Sequence, residues 1–142
     1  MEMTMSDKST NRGKPKIVIG DVDHERLTSL ATGALDRMPE MADVLLSELE
    51  RAKVVKARSV PADVIQMGST IEYRSDDGQQ REVTLVFPGE ADIAEGKVSI
   101  LTPIGTALIG LSQGQSIDWT ARDGRRHRLT ILSVKQSATS ES

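Results

Sequence analysis

The stretch TIEYRSDDGQQREVTLVF, Thr70 to Phe87, changes the periodicity of the chain from three-and-a-half residues to two. Thr70 to Arg74 alternates apolar and polar positions, Asp76-Asp77-Gly78 carries hairpin-turn chemistry, and Arg81 to Phe87 alternates again with Val83, Leu85 and Phe87 on one face. Two strands joined by a tight turn are expected, and Pro88-Gly89 ends the second. The rule then continues downstream. A strand is expected at Lys97 to Leu101, a short helix from Pro103, a strand at Ser116 to Ala121, the turn Asp123-Gly124 and a last strand at His127 to Val134. The order β-β-β-α-β-β predicts an antiparallel sheet with one short helix against it, an α+β fold.

Upstream of this block the pattern is helical. After a short apolar run, Ile17-Val18-Ile19, either Asp21 or Asp23 can cap a helix whose Leu27, Leu30, Ala31, Ala34 and Leu35 form one stripe. It should stop near Asp36-Arg37-Met38-Pro39. Pro39 suits the first turn of a second helix, with Glu40 and Asp43 at its positive end. Met41, Leu45, Leu49 and Ala52 fall on its apolar face, while Glu48, Glu50, Arg51 and Lys53 should turn largely to water. Two helices of roughly 14 residues with so short a connection predict an antiparallel hairpin roughly 20 Å long. Residues 1–15 and 137–142 carry little to bury and are expected to be disordered, which leaves 16–58 for the hairpin and 59–136 for the sheet domain.

Composition narrows the chemistry. The 142 residues suffice for one ordinary domain with an attached element, and a net charge of −3 offers no overall attraction for nucleic acid or an anionic membrane. There is no cysteine, and only two histidines, His24 and His127, far apart in sequence, so no thiolate or zinc site is expected. The polar start and the lack of any run of about 18 apolar residues predict a cytoplasmic protein without a membrane partner. One Tyr, one Phe and one Trp argue against aromatic base-stacking platforms and aromatic-lined pockets for small-molecule substrates.

The segment ILTPIGTALIGLSQG, residues 100–114, has two glycines, Gly105 and Gly110, at phosphate-loop spacing. Leu111 stands where that loop needs its lysine, so the segment reads as a short buried helix closed by glycine. With Gly89-Glu90-Ala91-Asp92 before it, and with Leu49-Glu50-Arg51-Ala52, Pro61 to Met67 and Leu85-Val86-Phe87-Pro88, it resembles the GreA/GreB transcription elongation factors, and most nearly their Rnk branch. The resemblance covers about Lys16 to Lys135. It implies a coiled-coil hairpin and an FKBP-like domain that docks on bacterial RNA polymerase beside its secondary channel, any contact with nucleic acid being made through the polymerase. Neither enzymatic activity of its own nor a cofactor is implied for this branch.

Candidate site residues follow from both readings. The resemblance places Leu101, Thr102, Pro103, Ile104 and Gly105, with Glu90 and Asp92, on the polymerase-facing side, although Pro103 also suits a first helical position and Ile104 a core one. Asp36, Glu40 and Asp43 at the hairpin tip can recruit a hard cation or complement the helix dipole. In Gre factors a much longer hairpin carries carboxylates down the channel to help hold magnesium for transcript cleavage; a hairpin of roughly 20 Å is too short for that reach. Modulation of elongation, or competition with Gre-type factors, is therefore expected. Cleavage stimulation through the tip acids and an indirect effect on nucleoside diphosphate kinase are the alternatives. Prolyl isomerisation, the activity associated with FKBP-like folds, is not expected, because three aromatics cannot line its pocket. Arg122, Arg125, Arg126, His127 and Arg128, and separately Lys53, Lys56 and Arg58, form basic rims expected to be solvated, and His127 is expected to pack half-buried in its strand.

Overall fold

The computed structural model describes residues 15–121 and 123–136; the expected leader up to residue 14, the tail 137–142 and Arg122 lie outside the described residues. Among the described residues ten strands and α-helices follow one another: β1 (Val18–Gly20), α1 (Asp21–Ala34), α2 (Pro39–Arg51), β2 (Lys53–Val55), β3 (Thr70–Ser75), β4 (Gln80–Val86), β5 (Lys97–Ser99), α3 (Pro103–Leu108), β6 (Ser116–Thr120) and β7 (Arg126–Lys135). Five of the strands make a sheet in the order β5-β4-β3-β7-β6.

The alternation at Thr70 to Phe87 produces the antiparallel pair β3–β4, in which Ile71 faces Val83 and Thr70 faces Thr84, their hydroxyls 2.9 Å apart. β3–β7 and β6–β7 are antiparallel as well. The all-antiparallel expectation fails at one edge, where β5 runs parallel to β4 with Thr84 opposite Lys97. Two 3-10 turns, Pro88–Glu90 and Ile93–Glu95, carry the chain back along β4 before β5 begins, so β5 starts at the same end as its neighbour. A tight turn after Pro88 would have reversed the strand. The return loop does not.

The helical half is built on a second, smaller sheet. β1 and β2 pair in parallel, Val18 opposite Lys53, with α1 and α2 as the crossover that parallel pairing requires. Lys53, read from the sequence as part of the second helix, thus begins a strand, Lys53–Val55. Glu48 is the larger correction: it is buried, not turned to water. Its carboxylate meets the Arg51 guanidinium at 2.8 Å, and Arg51 also donates to the Pro15 carbonyl at 2.6 Å, so the inward charge is neutralised where it sits. The buried face of α2 is accordingly Ala42, Leu45, Glu48 and Leu49, with Met41 and Ala52 at its margin. Leu35 ends α1 and is exposed; it does not extend the stripe.

The start of α1 also differs from expectation. Gly20 is its cap residue, without a side-chain hydrogen bond, and neither Asp21 nor Asp23 caps. Asp21 accepts the Ala57 N–H at 3.1 Å and Asp23 the Met67 N–H at 3.2 Å, so both carboxylates tie the connector between the halves onto the helix. His24 Nε2 lies 3.1 Å from the Leu49 carbonyl, joining the beginning of α1 to the end of α2 and showing that they run in opposite directions. Arg26 stacks 4.6 Å above the Phe87 ring, a further tie between helix and sheet.

Burial raises the Asp23 carboxyl above its ordinary value of 3.8, opposed by the Met67 N–H and by Arg26. A raised folded value means that the group favours folding at low pH, and that this contribution is lost as pH rises through it. Charged Asp23 is therefore a net cost at neutrality. Asp23→Asn keeps an acceptor for Met67 without the charge, and thermal melts should show it modestly more stable at pH 7, the advantage shrinking as pH falls toward the ordinary carboxyl value. A variant less stable at pH 7 would contradict this.

One apolar cluster spans both halves. Ile17, Ile19, Leu27, Leu45 and Leu49 pack with Ile65, Ile71, Leu85, Ile100, Leu108, Leu111, Leu129 and Ile131. Each such side chain contributes about 1.5–3 kcal/mol on leaving water, so the helices are held chiefly by the core they share with the sheet.

Candidate functional site

The sequence candidates Leu101 to Gly105, Glu90 and Asp92 border edge strand β5. At its C-terminal end Ile100 and Leu101 are buried, and the chain then turns into α3. Thr102 caps that helix: its hydroxyl accepts the Gly105 N–H at 3.0 Å and donates to the Ser99 carbonyl at 2.7 Å. Pro103 occupies the first turn, where its missing N–H costs nothing. Gly105 is buried against the backbone of Ser99 and Ile100. Of the five residues Leu101 to Gly105, only Thr102, Pro103 and Ile104 reach the surface, and Ile104 also packs on the core. Pro103 thus takes the first helical position expected of it and remains half-exposed.

At the other end of β5 stand Glu90 and Asp92, both exposed. Asp92 accepts the Ala94 N–H at 3.1 Å, and its backbone exchanges two hydrogen bonds with Lys97, each 2.9 Å. The sequence candidates on the two sides of β5 are thereby brought to one edge of the sheet, separated by a strand of three residues.

Asp36, Glu40 and Asp43 are all exposed around the α1–α2 turn. Among the described residues, no three His, Cys, Asp or Glu side chains gather into a group able to hold a metal ion. Glu40 lies in the first turn of α2, where it complements the dipole.

The Arg and Lys side chains of the basic rims are exposed where described, and His127 is half-buried as expected. Arg128 is paired with Asp118 at 2.9 Å and Arg125 lies 3.9 Å from Asp123, while Lys53, Lys56 and Arg58 are exposed on β2 and the connector that follows it. His127 stacks on Trp119 with ring centroids 5.2 Å apart and faces Asp76 at 3.7 Å. A seam the sequence did not disclose lies between α2, α3 and β6. It is a cleft of about 300 Å³ lined by Met41, Val44, Pro103, Ala107, Ile117 and Trp119 among others, and only the packing of the two halves creates it. No helix among the described residues is long and apolar enough to cross a membrane.

Comparison with known proteins assigns each half. Residues 60–136 match the model of the C-terminal domain of the GreA/GreB transcription elongation factors, and residues 15–55 match the Rnk N-terminus. The regulator of nucleoside diphosphate kinase of Escherichia coli (strain K12) is 34% identical over 123 residues, covering 86% of this chain and 90% of that protein. Transcription elongation factor GreA of Nitratidesulfovibrio vulgaris (strain DSM 19637 / Miyazaki F) is 35% identical over 80 residues, which are 56% of this chain and 50% of that protein. Among solved structures, a GreA/GreB transcription elongation factor from Nitrosomonas europaea shares 39% identity with a TM-score of 0.69, over 86% of this chain and 99% of that one.

Proposed function

Because the chain belongs to the Rnk branch of the GreA/GreB family, we propose that it is a non-enzymatic transcription regulator that binds bacterial RNA polymerase beside the secondary channel. The FKBP-like sheet domain makes the contact through Thr102, Pro103 and Ile104 with Glu90 and Asp92, and the short coiled-coil hairpin occupies the channel mouth. The protein acts in the cytoplasm, on elongation or by excluding longer channel-binding factors, without stimulating cleavage. An effect on nucleoside diphosphate kinase follows indirectly, through transcription.

The observation that carries this reading is the length of the helical pair. Helices of 14 and 13 residues span roughly 20 Å, enough to sit at an entrance and too little to deliver carboxylates to a deep catalytic centre. A competition assay tests it: transcript cleavage by a Gre factor should fall as this chain is added, and unchanged cleavage at micromolar excess sinks the proposal. The protein alone, added to stalled elongation complexes, should produce no shortened transcripts. Asp36→Ala, Glu40→Ala and Asp43→Ala combined should compete as well as the wild type, within about twofold, because exposed charges at a helix terminus contribute little. Cleavage by the wild type that disappears in the triple variant would instead establish the tip as functional.

A further inference from the structure

Ile93 is 89% exposed, while the other large apolar side chains at the described surface, Val22, Leu35, Val44 and Val54, lie between 41% and 52%. A single exposed isoleucine is unremarkable on a loose loop. This one is mounted on a braced turn. Glu95 N–H donates to the Asp92 carbonyl and Gly96 N–H to the Ile93 carbonyl, both at 3.0 Å, and the Asp92 carboxylate holds the Ala94 N–H. Asp92 and Lys97 close the turn with their paired backbone bonds, and the Gly96 carbonyl accepts from Thr84 N–H on β4 at 2.8 Å. Ile93 does not belong to the core cluster, so the fold makes no use of the side chain it displays.

Charge surrounds it. Between Gly89 and Gly96 the chain carries Glu90, Asp92 and Glu95, all exposed, and no cation; Lys97 follows, 3.6 Å from Glu95. From this turn β5 leads to Thr102, Pro103 and Ile104, roughly 10 Å further along the same edge at the rise of an extended strand. We infer that Ile93 is the apolar anchor of the docking surface, entering an apolar socket rimmed by Arg or Lys on the polymerase, with Glu90, Asp92 and Glu95 as the acidic rim that closes over it. The inference rests on the docking reading above and adds to it a specific anchor and the chemistry of the site that receives it. A prearranged turn loses little conformational freedom on binding, so burial of the isoleucine is retained as affinity. The carboxylates around it exclude water and accelerate encounter with a basic surface.

Equilibrium and kinetic binding of the full chain to core RNA polymerase test this directly. Ile93→Ala should weaken binding about 10- to 30-fold, chiefly through faster dissociation, and Ile93→Asp about 100-fold or more. Glu90→Gln with Glu95→Gln should slow association about three- to tenfold at low salt, with the difference shrinking as salt rises. Melting temperatures of the Ile93 variants should match that of the wild type within a degree or two, which separates lost contact from lost fold. Wild-type binding that both Ile93 variants retain overturns the anchor and leaves the docking reading standing. No wild-type binding overturns both. Self-association of the wild type that Ile93→Asp abolishes, with polymerase binding unchanged, assigns the turn to a contact between copies and likewise overturns the inference.

Discussion

Gly105→Ala is expected to destabilise the chain by about 3 kcal/mol, a large share of the roughly 5–15 kcal/mol that holds a domain of this size together. A Cβ on Gly105 would sit inside the van der Waals shell of the Ser99 carbonyl oxygen and 2.9 Å from the Ile100 Cα. Both are backbone atoms of a segment that cannot retreat: Ser99 pairs with Val86 in the sheet, and its carbonyl is already held by the Thr102 hydroxyl. Either the first turn of α3 lifts off or β5 leaves β4. Urea denaturation should show the midpoint falling by about 1–2 M with little change in slope. The same displacement moves Thr102 to Ile104, so polymerase competition should be lost at concentrations where the folded variant still predominates. A wild-type midpoint would show that helix and strand do not meet as closely as the geometry requires.

The sheet was legible where each strand has one face in the core. Ile71, Tyr73, Leu85, Ile117, Leu129 and Ile131 all land inside, because period-two alternation is the direct image of a half-buried strand. The direction of β5 was not legible. It depends on how many residues the return loop spends in 3-10 turns, and alternation carries no sign of direction. β2 was hidden for a different reason: Lys53 and Val54 are exposed and pair only through backbone with β1, so no burial pattern marks them. Glu48 shows the limit of reading charge as exposure, and Asp23 the limit of reading an acid before a helix as its cap. Glu48 is met by Arg51 one helical turn on, itself held by the distant Pro15 carbonyl, and Asp23 by the distant Met67 N–H. At the candidate site the resemblance singled out Leu101 to Gly105, and the proline and glycine punctuation of the segment marked the short helix that begins there. It passed over Ile93, since nothing in Glu90-Ala91-Asp92-Ile93 distinguishes an isoleucine that is displayed from one that is buried.

Gly110→Ala should cost about 2–4 kcal/mol and should do so across the whole molecule. Gly110 has φ of +81°, a conformation that costs about 1–2 kcal/mol with a side chain, and its Cβ would lie 2.8 Å from Ile17 Cβ and 3.1 Å from the Val18 carbonyl oxygen. Ile17 is in the core and its carbonyl accepts from Lys53 N–H at 3.0 Å, so it cannot move without disturbing both strands of the small sheet. Gly110 itself donates to Ile65 and accepts from Val18, which makes it the point where N-terminal strand, connector and sheet domain meet. Two halves joined only by a linker would unfold separately, and strain at Gly110 would release the helices alone. The continuous core from Leu27 and Leu45 to Leu108 and Leu129 argues otherwise. Far-UV circular dichroism, dominated by α1 and α2, and the fluorescence of Trp119 on β6 should therefore lose stability together and by equal amounts. A dichroism midpoint that falls while the Trp119 transition stays in place would show that the hairpin is a separate unit, free to change its angle against the sheet when it meets a partner.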